Sequence, residues 1–425
     1  MTTRVERAAR ELRGQARVLA IVMWAVLAAN WATPTLVDRF SGHVKGADFV
    51  QFYALASAVR AHDFEALTAP EQLRAAQDRA VPQAAKDIYP PVYPPQVALA
   101  VEPLAALPYP AALAFWSVLS AALYGASVWL IWKRCPHLRK YRSATAWLAC
   151  GFPPFWWLVA NGHPSALALL ALTLALLALE REQRLLAGCA IGLLAYKWTL
   201  LLPAAAVCFF AGESTMLLGV AAVAVGQLAL AVPVVGLEVI RQHFLMMTAL
   251  ARTPDAVAAK PYLMYSLRTF WAALAPGWIA VVLYVASALS VLVVAARAWR
   301  RMASAPGRIA IMSCAIVLAA PHFYAYDLVI LAPAVLFAAD LTLRLQPGSR
   351  LRTWLARSTY AVFLTLPIGL LAAVIRVQLA TPLLLGWMLI LIGTDARGVG
   401  TDVRGIGTDD EASKLAVEGS RLTTE

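Results

Sequence analysis

The sequence predicts an all-α fold, a polytopic transmembrane helical bundle of about 10–12 spans, and three observations predict it. Hydrophobic residues make up 61% of the 425 and charged residues only 14%, well short of the quarter or so that a soluble chain carries. The mean hydropathy of +0.68 is an excess that a finite soluble core does not absorb, whereas a membrane fold turns it toward lipid. Lys and Arg fall in short runs between apolar stretches, the pattern that holds basic loops in the cytoplasm.

Taken in order, residues 1–17 form a basic cytoplasmic segment, with Arg4, Arg7, Arg10, Arg13 and Arg17 at helical spacing ahead of a first span at about 18–37. The apolar run lacks a small-residue cleavage site and is expected to remain as an uncleaved helix. Residues 39–95 are too polar to span and form the first periplasmic loop, carrying short interfacial helices. A span at 108–132 ends in Lys133, Arg134, Arg139, Lys140 and Arg142, which returns the chain to the cytoplasm. A third span, 144–159, reaches the turn Asn161-Gly162-His163-Pro164, and a fourth comes back to residues 180–184.

Lys197 and Pro203 interrupt the apolar run 185–211, which predicts two short helices in place of one long one. The span 216–234 then exits, and 237–270 is a later periplasmic loop. Further spans at 277–296, 309–320, 328–343, 360–374 and 379–392 alternate between basic turns inside and turns nearly free of Lys and Arg outside. The membrane domain thus covers 18–393. Residues 394–425 are small, polar and loosely repetitive in Gly-Thr-Asp, and are expected to be a disordered cytoplasmic tail.

The net charge of +12 resides in those interspan runs, so it reads as topology and as contact with membrane lipid headgroups, with no nucleic-acid partner. The five cysteines lie in or beside apolar segments without CxxC or Cys/His spacing, which predicts neither a disulfide nor zinc. No P-loop, GxGxxG, HExxH or GxSxG element occurs, so nucleotide hydrolysis and zinc hydrolysis are not expected.

With this topology four segments converge on the periplasmic face: Gly46 to Phe49, Tyr89 to Pro95, Asn161 to Pro164 and Pro321 to Asp327. Ionisable groups at a membrane boundary cost desolvation energy and mark function by default. Asp48, followed by Phe49, Phe52 and Tyr53, suits a general base; the bland alternative is a solvated loop carboxylate or a helix cap. His322 and Asp327 flank Tyr324 and Tyr326 and offer groups for a phosphate or sugar hydroxyls, or else an interfacial aromatic belt. His163 is either a ligand contact or part of the turn that starts a helix. Lys197, inside an apolar run, must snorkel, pair or meet an anion. Arg268, beside Tyr262, Tyr265 and Trp271, meets either an anionic ligand or a lipid headgroup.

At these residues the chain resembles glycosyltransferase family 87, of the GT-C class, which includes polyprenol-phosphate-mannose-dependent α-mannosyltransferases. The resemblance lies in Asp48-Phe49 with Tyr53, Tyr93-Pro94-Pro95, Asn161-Gly162-His163-Pro164, the segment from Ala187-Gly188 to Lys197, and Pro321-His322 to Tyr326-Asp327. The family often has Gln where His163 stands and Lys-Pro where Lys197-Trp198 stands. The resemblance implies a helical bundle with a periplasmic cavity in a bacterial inner membrane, the amino terminus being cytoplasmic. It implies an enzyme that transfers a sugar, mannose foremost, from a polyprenyl-phosphate donor to a hydroxyl of a lipid or glycan acceptor with inversion. Asp48 would be the base, while His322, Lys197, Arg268, Tyr326, Asp327 and His163 would hold the donor phosphate and sugar. Tyr53, Tyr89 and Tyr93 would line the cavity. No cofactor or metal is expected, a divalent cation at Asp48 and Asp327 being left open because their spacing matches no known ligand set. The alternatives are a flippase or transporter of lipid-linked sugars, which a buried Lys at a broken helix would suit, and a non-catalytic subunit of envelope assembly.

Overall fold

The structure, a computed structural model, describes residues 4–39, 41–84, 89, 91–252 and 261–395. Helices account for 82% of it, and no strand forms among the described residues, as expected where lipid offers the backbone no partners. The chain opens with α1 (Arg4–Trp31), α2 (Ala47–Arg60), α3 (Pro70–Ala80), α4 (Pro95–Val101), α5 (Tyr109–Trp132), α6 (Arg142–Cys150) and α7 (Pro153–Asn161). It continues with α8 (Ser165–Glu180), α9 (Arg184–Gly192), α10 (Trp198–Ala211), α11 (Ser214–Val235), α12 (Leu237–Arg252) and α13 (Leu267–Leu274). The last elements are α14 (Gly277–Arg301), α15 (Ala305–Ala319), α16 (Ala332–Arg344), α17 (Arg350–Phe363), α18 (Thr365–Leu370), α19 (Ala372–Ile375) and α20 (Ala380–Asp395).

Among the described residues five helices are long and apolar enough to cross a membrane: Glu6–Trp31, Tyr109–Trp132, Ser214–Val235, Gly277–Arg301 and Ala325–Arg344. A sixth is the pair formed by α17 with Thr365–Ile375, bent by 64°. Five shorter apolar helices, among them α8, α10, α15 and α20, occupy places where the sequence analysis puts further spans. Large apolar side chains such as Val118, Leu230 and Val281 face outward, which a lipid solvent tolerates.

Four differences from the sequence-based expectation have local causes. The basic segment does not stand apart from the first span, because α1 runs unbroken from Arg4 through both. The expected 144–159 span is two helices, since Pro153 and Pro154 permit only a new helix start after Phe152. The helix after Gly46 is enclosed by protein: Phe49, Val50, Phe52, Ala54, Leu55 and Ala56 are all buried, and α2 packs on α3, α4 and α5. Finally, α20 continues past Gly393 to Asp395, with the Thr394 hydroxyl bonded back to the Ile390 carbonyl at 2.7 Å. From residue 396 on, the expected tail lies outside the described residues.

The bundle has two chemically distinct ends. At one, Arg134 meets Glu180 at 2.9 Å, Arg184 pairs with Glu213, and the Trp299 indole donates to Glu213 at 2.9 Å. Arg300 caps the end of α10 through the carbonyls of Ala211 and Phe210, and Asp340 accepts the backbone N–H of His137 at 2.7 Å. The basic turns named from sequence thus share one end, and the motif-bearing segments share the other.

Candidate functional site

The site is assembled from helix ends. Gly46 holds φ at +67° as the N-cap of α2, and a side chain there would collide with Leu113. The helix so started carries Asp48, half-buried, in its first turn. Phe49, directly after it, stacks on Trp116 with ring centroids 5.7 Å apart, and the Trp116 indole donates to the Gly162 carbonyl at 2.9 Å. Gly162 ends α7 at φ +66°, and a Cβ there would lie 2.7 Å from that of Phe49. The Asp48 helix and the His163 turn are therefore locked together by packing that admits only glycine at position 162.

A chain of buried hydrogen bonds runs inward from this lock. Tyr93 Oη lies 2.7 Å from His163 Nε2, and His163 Nδ1 lies 2.7 Å from Ser165 Oγ. Ser165 donates to Asp327 Oδ1 at 2.5 Å, while Lys197 Nζ donates to Asp327 Oδ2 at 2.6 Å. The Tyr324 N–H also reaches Asp327 Oδ2, at 3.1 Å. Since the Ser165 proton points at the carboxylate, His163 must donate from Nδ1, and its Nε2 then accepts from the Tyr93 hydroxyl. Every donor in the series points toward Asp327, which leaves the Tyr93 oxygen with lone pairs at the outer end.

Electrostatics keep these groups in those states. Burial, helped by Lys197 and His322, holds the His163 imidazole well below its ordinary pKa and thus neutral. Burial raises the Tyr93 phenol well above 10, with the charges of Asp327, Tyr196 and Asp48 adding to it. Asp48 stands one helix turn before Phe52, whose ring packs on that of Tyr93 at 4.6 Å. His163 also stacks on Tyr326 at 3.6 Å, and Tyr326 on Tyr324 at 5.4 Å. The Lys197 ammonium lies 5.6 Å from the Tyr326 ring centroid, a cation–π distance.

The break around Lys197 follows the two-helix expectation. After α9 and a 3₁₀ turn at Leu193–Tyr196, Lys197 is extended (φ −142°, ψ 91°) and α10 begins at the next residue. Its ammonium meets a fully buried carboxylate from a distant segment, so its charge is neutralised within the protein.

His322 stands half-buried before Tyr324, their rings 5.4 Å apart. Burial foremost, with Lys197 and Arg268 adding to it against Asp327, pushes its imidazole down to about 4. Arg268 reaches the Pro321 carbonyl at 3.4 Å, and among the described residues no carboxylate pairs with it. Tyr53 does not join this group: its hydroxyl donates to the Leu107 carbonyl at 2.8 Å in an aromatic cluster with Phe49 and Tyr109. Tyr89 is half-buried and packs on the edge of the core. Among the described residues no three His, Cys, Asp or Glu side chains gather as a metal-binding group.

One member escaped sequence reasoning. Ser165 links His163 to Asp327, and the available signal was a hydroxyl two residues after a buried histidine at a helix start. Phe52, named from sequence only as a neighbour of Asp48, packs edge-on against Tyr93 at 4.6 Å.

The profile described as glycosyltransferase family 87 matches residues 92–321, more than half of the chain. Tyr93, His163, Ser165, Lys197 and Arg268 fall inside that segment, whereas Asp48, His322 and Asp327 fall outside it. No curated protein and no solved structure shows a match.

Proposed function

From a chain that belongs to glycosyltransferase family 87, a multi-pass membrane glycosyltransferase, we propose an enzyme that moves a sugar, mannose foremost, from a polyprenyl-phosphate donor to a lipid or glycan hydroxyl. The observation that carries the reading is the half-buried Asp48 in the first turn of the helix whose Phe49 stacks on Trp116, itself bonded to Gly162, and whose Phe52 packs on Tyr93, the outer end of the hydrogen-bond chain. A single displacement at the anomeric carbon needs one base for the attacking hydroxyl and a stabilised leaving group. Asp48 takes the proton as the acceptor oxygen bonds to the anomeric carbon, and the bond from that carbon to the phosphate oxygen breaks with inversion.

The leaving polyprenyl phosphate carries the electron pair away and needs a cation. Lys197 is paired with Asp327, and His322 at a pKa of about 4 is neutral at pH 7. The permanent positive charge on the rim is that of Arg268, with His322 as an uncharged donor beside it. Tyr93 and His163 face the sugar, held by Ser165, Asp327 and Tyr326 behind them. A lipid-linked donor accounts for the membrane setting, since its prenyl chain stays in hydrocarbon while the phosphosugar enters the polar end. In the bacterial inner membrane that end faces the periplasm, because the opposite end gathers the basic turns.

The donor class is tested by offering membranes expressing the chain either radiolabelled polyprenyl-phosphate mannose or the corresponding nucleotide sugar, with prenyl-phosphate synthesis blocked. Label reaching lipid or glycan acceptors only from the prenyl donor is the expected result. Transfer directly from the nucleotide sugar would overturn the donor assignment.

A further inference from the structure

Where α8, α9 and α11 meet on the outside of the bundle they leave a groove of about 360 Å³, within the size range of ligand cavities. Its walls are apolar, with Leu174 on α8, Leu186 on α9 and Leu193 just beyond it. All three leucines are exposed, so the groove is reached from outside. The walls are also fixed, because Gly188 of α9 rests on the Met216 backbone of α11 with no room for a Cβ.

Polar side chains stand at one end only. Arg181 and Gln183 line the groove where α8 gives way to α9, in the turn that belongs to the basic end of the bundle. From Gln183 the lining follows α9 inward as far as Leu193, a run of about 15 Å at the rise of a helix. That is the depth of one leaflet in a hydrocarbon core of about 30 Å.

The charges at the polar end decide what the groove can hold. Arg134 is paired with Glu180 and Arg184 with Glu213, whereas Arg181 is exposed and, among the described residues, has no carboxylate partner. Glu182, next to it in sequence, does not line the groove. A guanidinium at the mouth of an apolar groove one leaflet deep complements a phosphodiester that carries an acyl chain. A prenyl phosphate has the same two parts, but Asp48, His163 and Arg268 lie at the opposite end of the bundle.

We propose that this groove binds one phospholipid of the leaflet at the basic end. Its phosphodiester sits on Arg181, with the Gln183 amide as a second donor, and one acyl chain lies along Leu174, Leu186 and Leu193. The site is separate from the sugar-transfer site and does not rest on the glycosyltransferase reading. Leu193 opens the 3₁₀ turn that precedes Lys197, so the lipid braces the segment carrying that lysine.

Native mass spectrometry of the purified full chain in detergent tests it, with dioleoyl phosphatidylglycerol and dioleoylglycerol as probes. The expected result is one phosphatidylglycerol retained per chain at low lipid. Dioleoylglycerol has the acyl chains without the phosphate and should bind at least about tenfold more weakly, the loss of a charge-assisted hydrogen bond. Arg181→Gln should weaken phosphatidylglycerol by a similar factor. Arg301→Gln, which changes an exposed arginine at the same end outside the groove, should leave retention unchanged. Cys189→Phe fills the groove from α9 and should weaken both probes. Arg181→Gln decides should Cys189→Phe not fold, since position 181 is exposed. Phosphatidylglycerol should also raise the melting temperature of the wild type more than that of Arg181→Gln. Equal retention by wild type and Arg181→Gln, an equal fall in Arg301→Gln, equal binding of dioleoylglycerol, or displacement by equimolar undecaprenyl phosphate would each overturn the proposal.

Discussion

Asp327 is the residue on which the others depend. It accepts from Ser165, Lys197 and the Tyr324 N–H while fully buried, so one substitution strands several donors. Asp327→Asn leaves the Lys197 ammonium buried without its counter-charge and should cost about 3–5 kcal/mol, read as a large fall in melting temperature. The double variant Lys197→Met with Asp327→Leu should be less unstable than that single change, a result that separates charge stranding from loss of packing. Ser165→Ala is milder, at about 1–3 kcal/mol, because it orphans the His163 N–H without removing a charge. The histidines set the pH response. His243 and His322 are pushed down to about 4 and His163 below its ordinary 6.5, all chiefly by burial. Between pH 6.5 and 4 the unfolded chain binds more protons than the native one, so stability is full above about 6.5 and declines as pH falls through that window. Melting temperatures at pH 7 and 5 should show the drop, and His243→Phe should reduce it.

At the scale of elements, positioning comes from helix ends and breaks. Gly162→Ala forces a side chain onto a left-handed residue and against the Cβ of Phe49; it should cost at least about 1 kcal/mol. Because that packing fixes α2, transfer should fall more than protein level does, which activity per unit of folded protein would report. Much here was legible in sequence. Lys197 marked a break in the apolar run and the break is present there, because a lysine in such a run must find an anion, whereas Pro203 does not interrupt the run and lies inside α10. The burial of α2 was not legible: its residues look like an amphiphilic loop helix, and only its contacts with α4 and α5 show that it lies in the core. Ser165 was equally hidden, since partners far apart in sequence leave no periodic signal.

For the whole molecule, the alternation of basic and nearly base-free turns was readable from charge alone. The structure gathers those turns at one end through Arg134–Glu180, Arg184–Glu213 and His137–Asp340. What charge does not predict is the number of full-length helices, because several apolar segments stop short at prolines and breaks. The two-ended arrangement predicts that, in a cysteine-free background, a cysteine replacing Ser41 reacts with an impermeant maleimide from outside the cell, and one replacing Arg181 does not. Both positions are exposed, so reaction at Arg181 from outside would invert the orientation. The central claim, sugar transfer from a prenyl phosphate with Asp48 as base, is tested most directly by radiolabelled polyprenyl-phosphate mannose in membranes carrying equal amounts of wild type or Asp48→Asn. Label should pass to endogenous lipid or glycan acceptors with the wild type and fall by about 10²–10⁴-fold with the variant, the usual contribution of a general base. Equal transfer by the two would contradict the account.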